Sequence, residues 1–384
     1  MHFFNKKIEL WGSRWHKFTR RPLKNLFKTS FKKKALISHI TYPFYNRFGD
    51  HINYAECWLI AKCLNDLGYV VDVCDDKHPS NPSSYDVILS TGNLYTKYHQ
   101  NIKEDSTKIL YAPGMYPFHQ NEASLSRAID IYARRGSWLI GSCRIAELTN
   151  AIGYGYCDAI ISVGNDFCAE SHSVHSNKEA YPIPAPYRSS SIARNVIKER
   201  DANSKNNFLW IGGTGKVHKG LDLCLEVFFQ RRDINLFIMG NFVNEEPFLE
   251  EYKKELASPN IKNLGFVKYD SEIFRNTLTK VSAIIYPTCS EGGSPSIISA
   301  IGNGALVSIT TKNASVTLPN NINIKSFTTT AVEESIDHYL SFNWKQIKQM
   351  QKENLNFVED NHSIEKFRQQ MKSIIRKIIL NDEK

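Results

Sequence analysis

No stretch of this sequence approaches the ~20 consecutive apolar residues that span a bilayer, which argues against a helical integral membrane protein. The basic start is not followed by an apolar core, so no secretory signal is expected. None of the eight cysteines (57, 63, 74, 143, 157, 168, 224 and 289) forms a C-x-x-C pair or a Cys/His zinc spacing. They read as reduced thiols among apolar neighbours, which suits a cytosolic protein. Disorder is excluded by composition, because 42% hydrophobic and 12% aromatic residues supply ample surface to bury. At 384 residues the chain is long enough for two domains.

Acid is nearly missing from one end. Residues 1–34 hold eleven Lys/Arg and a single acid, Glu9, for a charge of +10. The chain total is +9, so residues 35–384 carry −1. A nearly neutral body is a poor nucleic-acid surface, and no nucleic-acid partner is expected. Within the arm, Phe4, Ile8, Trp11, Trp15 and Phe18 recur at helical steps, and Leu23, Leu26, Phe27 and Phe31 extend the apolar character. A basic amphipathic stretch of this kind suits an anionic membrane surface. It equally suits a helix packed on the body, or a basic tail.

The body reads as alternating strands and helices, the pattern of parallel α/β sheets. Strands are expected at 35–41, 69–74, 85–90, 108–111 and 159–163, with another conceivable at 137–141, and a helix at 53–67. Residues 182–207, with three prolines, a triple serine and a charged stretch, read as an interdomain connection. A second series follows: strands at 208–211, 235–239, 261–266, 283–286 and 305–309, with helices at 221–230, 296–302 and 363–380. The expected architecture is α/β, two Rossmann-like parallel-sheet domains facing a central cleft. Its divisions are a basic arm (1–34), an acceptor-side domain (35–200), a donor-side domain (201–360) and a C-terminal helix (361–384) packing back toward the first domain.

Two loops carry chemistry. Gly212-Gly213-Thr214-Gly215-Lys216-Val217-His218-Lys219-Gly220 lies between a strand and a helix, but matches neither a P-loop nor G-x-G-x-x-G. Its glycines allow close approach to a phosphate, and Lys219 at the helix start can neutralise an anion. Ser290-Glu291-Gly292-Gly293-Ser294-Pro295-Ser296 sets a carboxylate before a helix N-terminus. Glu291 can accept hydrogen bonds from sugar hydroxyls, and the amides around Ser294–Ile297 suit negative charge. Taken singly, each loop reads better as a plain turn or helix cap.

In order and separation the two loops together resemble the donor half of retaining, GT-B fold glycosyltransferases of the family 4 type. The resemblance extends over about 208–310 and includes Asn260–Val267, and it continues more weakly over 35–165. It implies sugar transfer from a nucleotide diphosphate sugar to a saccharide or lipid-linked saccharide, with retention, in cell-surface polysaccharide or glycolipid synthesis. Lys219, Glu291 and His119 take catalytic roles in this reading. Donor contacts fall on Gly213, Thr214, Gly215, Lys216, Gly265, Phe266, Gly292, Gly293, Ser294, Ser296, Ile297 and Ser299. Gly49, Asp50, His51 and Glu56 fall on the acceptor side. No D-x-D occurs, so neither a metal nor another cofactor is expected. Two departures stand out. Ser299 sits where the family commonly has a second Glu, and the first glycine loop lacks an Arg. A weakened GT-B scaffold or binding protein, and a non-hydrolysing sugar-nucleotide epimerase, are the rival readings. The location implied is cytoplasmic, with membrane contact through residues 1–34.

Overall fold

The computed structural model describes residues 22–45, 52–190 and 193–382. Two six-stranded sheets, parallel throughout, make up the body. The first holds β1 (Lys33–His39), β2 (Tyr69–Asp75), β3 (Val87–Ser90), β4 (Thr107–Ala112), β5 (Ala159–Val163) and β6 (Glu179–Ile183) in the order β2-β1-β3-β4-β5-β6. The second holds β7 (Asn207–Ile211), β8 (Asn235–Met239), β9 (Ile261–Asn263), β10 (Ala283–Tyr286), β11 (Val307–Thr310) and β12 (Asn321–Asn323) in the order β12-β11-β10-β7-β8-β9. Helices cover both faces, so the central strands are short unbroken apolar runs such as Ala283-Ile284-Ile285-Tyr286, fully buried.

Five helices position the site: α1 (Ile52–Asp66), α2 (Pro117–Arg135), α3 (Leu221–Gln230), α4 (Pro295–Gly304) and α5 (Ile364–Asp382). On α1 the buried stripe is Cys57, Ile60, Ala61 and Leu64, at spacings of three, one and three that keep one face inward. Phe367, Met371, Ile375 and Ile378 of α5 join the core of the first sheet beside this stripe, and Cys63 Sγ reaches the Arg368 carbonyl.

Several expectations change. Residues 137–141 form no strand; a 3-10 turn occupies Ile140–Ser142. Leu139 is apolar because it packs, with Ile131, into the core of the second domain. The stretch from Pro182 is not all connection, since Pro182 belongs to β6. As an edge strand β6 tolerates a residue without an N–H. The arm also divides. Residues 1–21, which carry its amphipathic pattern, lie outside the described residues. Leu23 pairs antiparallel with Val73, and Leu23, Leu26 and Phe27 pack on the first core. Those three side chains are therefore spent on the body. Among the described residues no helix is long and apolar enough to cross a membrane.

The two domains are clamped together on one side. Arg127 and Arg134 of α2 both bond the carboxylate of Asp222 on α3, Arg134 also pairs with Glu226, and Arg135 reaches Glu251 and Glu255. Arg134 and Arg135 are interdomain ties, because α2 leans on the second domain.

Candidate active site

The second sheet reverses its strand order between β7 and β10. At such a point neighbouring loops leave toward opposite faces and open a crevice at the carboxyl ends of the strands. The loop after β7 brings Lys219 into that crevice, and the loop after β10 brings Glu291. Lys219 Nζ donates to the Glu291 carboxylate and to Tyr286 Oη at 2.9 Å. Burial on its own would raise the Glu291 pKa. Lys219, followed by Arg144, outweighs it and holds the carboxyl at about 2, so Glu291 is ionised. Burial lowers the Lys219 pKa below its ordinary value, and Glu291 draws it back up.

The pair lies in an interdomain cleft of about 610 Å³. Gly213, Thr214, Gly292, Ser294 and Ser296 line it from the second domain, and Glu56, Asp76, Asn93, Gly114 and Arg144 from the first. The two domains touch here through backbone. A Cβ on Gly292 would stand 2.2 Å from the Pro113 carbonyl oxygen, so this glycine is demanded by the close approach of the other domain.

Three donor-side expectations are corrected. The Gly215 and Lys216 amides do not face the cleft as phosphate donors; the buried Glu245 carboxylate accepts both, at 2.9 and 3.0 Å. Lys216 Nζ is equally occupied, bonding the carbonyls of Gly213 (2.7 Å) and Asn241 (2.6 Å) and the Glu245 carboxylate (3.2 Å), so it braces the loop from inside. The Ile297 amide bonds back to Ser294 O at 2.9 Å, and its side chain is core.

Other expected residues fall nearby or elsewhere. Ser299 is buried on α4, its hydroxyl facing the Tyr269 phenol alongside Ser296. Gly293 is seated against Ala185 and Gly164 of the first domain. Gly265 and Phe266 are outside the cleft lining, and the Phe266 ring is exposed. His119 also misses the wall. It sits in the first turn of α2 with its ring edge-on to Phe167, while Pro117 and Gln120 face the cavity. Gly49, Asp50 and His51 lie outside the described residues.

Sequence reasoning passed over Arg144, His218 and Glu245. Arg144, from the first domain, approaches both oxygens of Glu291, at 3.4 and 3.5 Å. His218 is fully buried behind the pair, and burial above all pushes its pKa down to about 3. The neutral ring donates from Nε2 to the Ser290 carbonyl and accepts at Nδ1 from the Ser124 hydroxyl at 2.8 Å, tying the Glu291 loop to α2. The signal for α2 was present: Pro117 opens it, and Gly136, at φ 73°, closes it.

On the acceptor side, Asp76 is held by Asn93 Nδ2 (2.8 Å), Ser38 Oγ (3.0 Å) and Ser90 Oγ (3.3 Å). Glu56 accepts from Tyr111 Oη at 2.9 Å, and burial raises its pKa from 4.5 to about 7. An acid raised on folding costs stability as pH climbs from its unfolded to its folded value, because only the unfolded chain releases the proton there. The cost levels off above pH 7 at roughly 3 kcal/mol. Glu56→Gln keeps an acceptor for Tyr111 and removes the charge. It is expected to raise the melting temperature at pH 8 by several degrees and to change it little at pH 4, as thermal denaturation at the two pH values will show. An equal shift at both would refute the buried-carboxylate assignment.

Among the described residues no group of three or more His, Cys, Asp or Glu could hold a metal ion. The sequence matches no protein-family model and no curated protein. Solved structures are similar across both domains. Sucrose-phosphate synthase from Thermosynechococcus elongatus superposes with a TM-score of 0.62 at 12% identity, over 91% of this chain and 99% of that one. The Anabaena protein HepE, in complex with UDP and glucose, gives 0.54 at 9% identity, over 90% and 99%. The fold is GT-B. A Rickettsia africae glycosyltransferase shares this fold, with a TM-score of 0.53 at 13% identity, over 91% of this chain and the whole of that one.

Proposed function

We propose that this chain is a glycosyltransferase that moves a sugar from a nucleotide diphosphate sugar to a saccharide or lipid-linked saccharide acceptor, on the cytoplasmic side of cell-surface polysaccharide or glycolipid synthesis. The observation that carries the reading is the Lys219–Glu291 pair at the switch point of the second sheet, inside a cleft whose far wall bears carboxylates and amides. Support comes from similar structures: HepE was solved with UDP-glucose, and the Staphylococcus aureus protein TarM, matched over 58% of its own length, with UDP.

Breaking the bond between sugar and diphosphate builds negative charge on the leaving phosphate. A fixed cation in a partly dry site stabilises that charge most as it develops. Lys219 is such a cation, and the N-terminus of α4 adds its dipole. Glu291, being ionised, acts only as an acceptor and orients sugar hydroxyls. The configuration at the anomeric carbon is retained in this scheme. The acceptor oxygen bonds to that carbon on the face the phosphate leaves, and its proton passes to the departing phosphate oxygen. No protein base is then required, which agrees with His119 standing off the cleft wall. Glu56, Asp76 and Asn93 are placed to bind acceptor hydroxyls. Side-chain and dipole charge, rather than a resident metal, serves the leaving group.

A binding protein on the same fold draws on one observation, Ser299 in place of a second carboxylate. A panel of UDP- and GDP-sugars separates the two. Transferase function predicts donor turnover, by hydrolysis or by transfer, with at least one of them. Binding without turnover across the panel selects the binding protein, and no binding at all removes both.

A further inference from the structure

Two cations converge on one carboxylate in the cleft. Glu291 carries one negative charge, Lys219 and Arg144 one positive charge each, and the buried His218 is neutral. Lys216 cancels against Glu245 behind the loop. Within this cluster one positive charge is therefore left over, on the wall opposite Glu56 and Asp76.

The two cations are not held alike. Lys219 is buried against Glu291 and Tyr286. The Arg144 side chain is 44% exposed, and its contacts to Glu291 are long, at 3.4 and 3.5 Å. Its backbone is fixed, since Gln120 Nε2 donates to the Arg144 carbonyl at 3.0 Å. Its stem lies on Gly215, where a Cβ would come within 2.7 Å of Arg144 Cγ; φ there is +89°. The second domain thus provides a bed for an arginine of the first. A guanidinium with an anchored base, a fitted stem and a loosely engaged head can change partner at little cost. Its planar fork matches two phosphate oxygens.

We infer that Arg144 is the second cation of the anion subsite. When a diphosphate enters, the guanidinium turns from Glu291 to non-bridging phosphate oxygens, and Lys219 alone then balances the carboxylate. Because Arg144 belongs to the first domain and the crevice to the second, the subsite is complete only while the two domains are together. The chemistry rests on the transferase reading above, but the anion subsite is testable without it.

Calorimetry with UDP, UMP and inorganic pyrophosphate, on the full chain and on Arg144→Gln and Arg144→Lys, provides the test. Arg144→Gln is expected to weaken UDP and pyrophosphate binding tenfold or more and UMP binding by much less, with Arg144→Lys recovering part of the loss. With a turned-over donor, Arg144→Gln lowers kcat as well as raising KM, which a merely structural arginine would not do in this diphosphate-selective way. Equal UDP affinity in the full chain and Arg144→Gln overturns the assignment, as does equal loss for UDP and UMP. Arginine-dependent UDP binding with no sugar turnover supports the subsite and removes the transferase instead.

Discussion

Lys219→Met is expected to lower donor turnover by about 10²–10³-fold, the usual scale for removing one fixed charge-stabilising donor from an active site. Methionine keeps most of the volume of the lysine stem, so the loss reports the ammonium rather than a cavity. The same change exposes a second effect. Glu291 is buried and loses its nearest counter-charge, keeping only the longer contact to Arg144, so the melting temperature falls too. The two effects separate in the double variant Lys219→Met/Glu291→Gln, which no longer buries an unbalanced carboxylate. Stability is expected to return there and turnover to stay lost. Steady-state rates with the best donor of the panel, beside thermal melts of the three proteins, provide the check. Undiminished turnover in Lys219→Met would sink the site.

The other large effect lies away from the cleft. Asp222 is wholly buried on α3, and its carboxylate takes both Arg127, itself buried, and Arg134. Asp222→Ala leaves Arg127 with Asp130 and the Phe327 carbonyl, in a place water hardly reaches. Removing one partner of a buried pair costs about 3–5 kcal/mol, and a loss of that size is expected here in urea unfolding. Because the tie joins the domains, the loss should show as early separation of two transitions. Replacing the ions by apolar groups of like volume, as in Arg127→Met/Asp222→Leu, is expected to restore much of the stability. If Asp222→Ala unfolds like the parent chain, the clamp contributes nothing.

Both arguments depend on partners that a linear reading brings together only in part. β5, β8, β10 and α3 fall at the residues the apolar pattern names, because each is a locally complete signal. Lys219 and Glu291 were legible as a pair through the two loops that hold them. The same reading placed Gly215 and Lys216 among the donor contacts, since nothing local announces that Glu245, some thirty residues on, turns back to accept their amides. Nor did it find α2. The Pro117 and Gly136 boundaries were readable, but the exposed Leu125, Ile129 and Tyr132 blur its apolar face.

From sequence alone came two parallel α/β domains and the residue types of the anion site, since strand and helix periodicities and the glycine turns act over a few neighbours. Tertiary structure decided which charges meet. The reversal between β7 and β10 brings Lys219 to Glu291. The packing of α2 on the second domain carries Arg144 to the same carboxylate and consumes Arg134 and Arg135 in the clamp. Charges act through space, so their pairing follows the path of the whole chain and not the order of its letters.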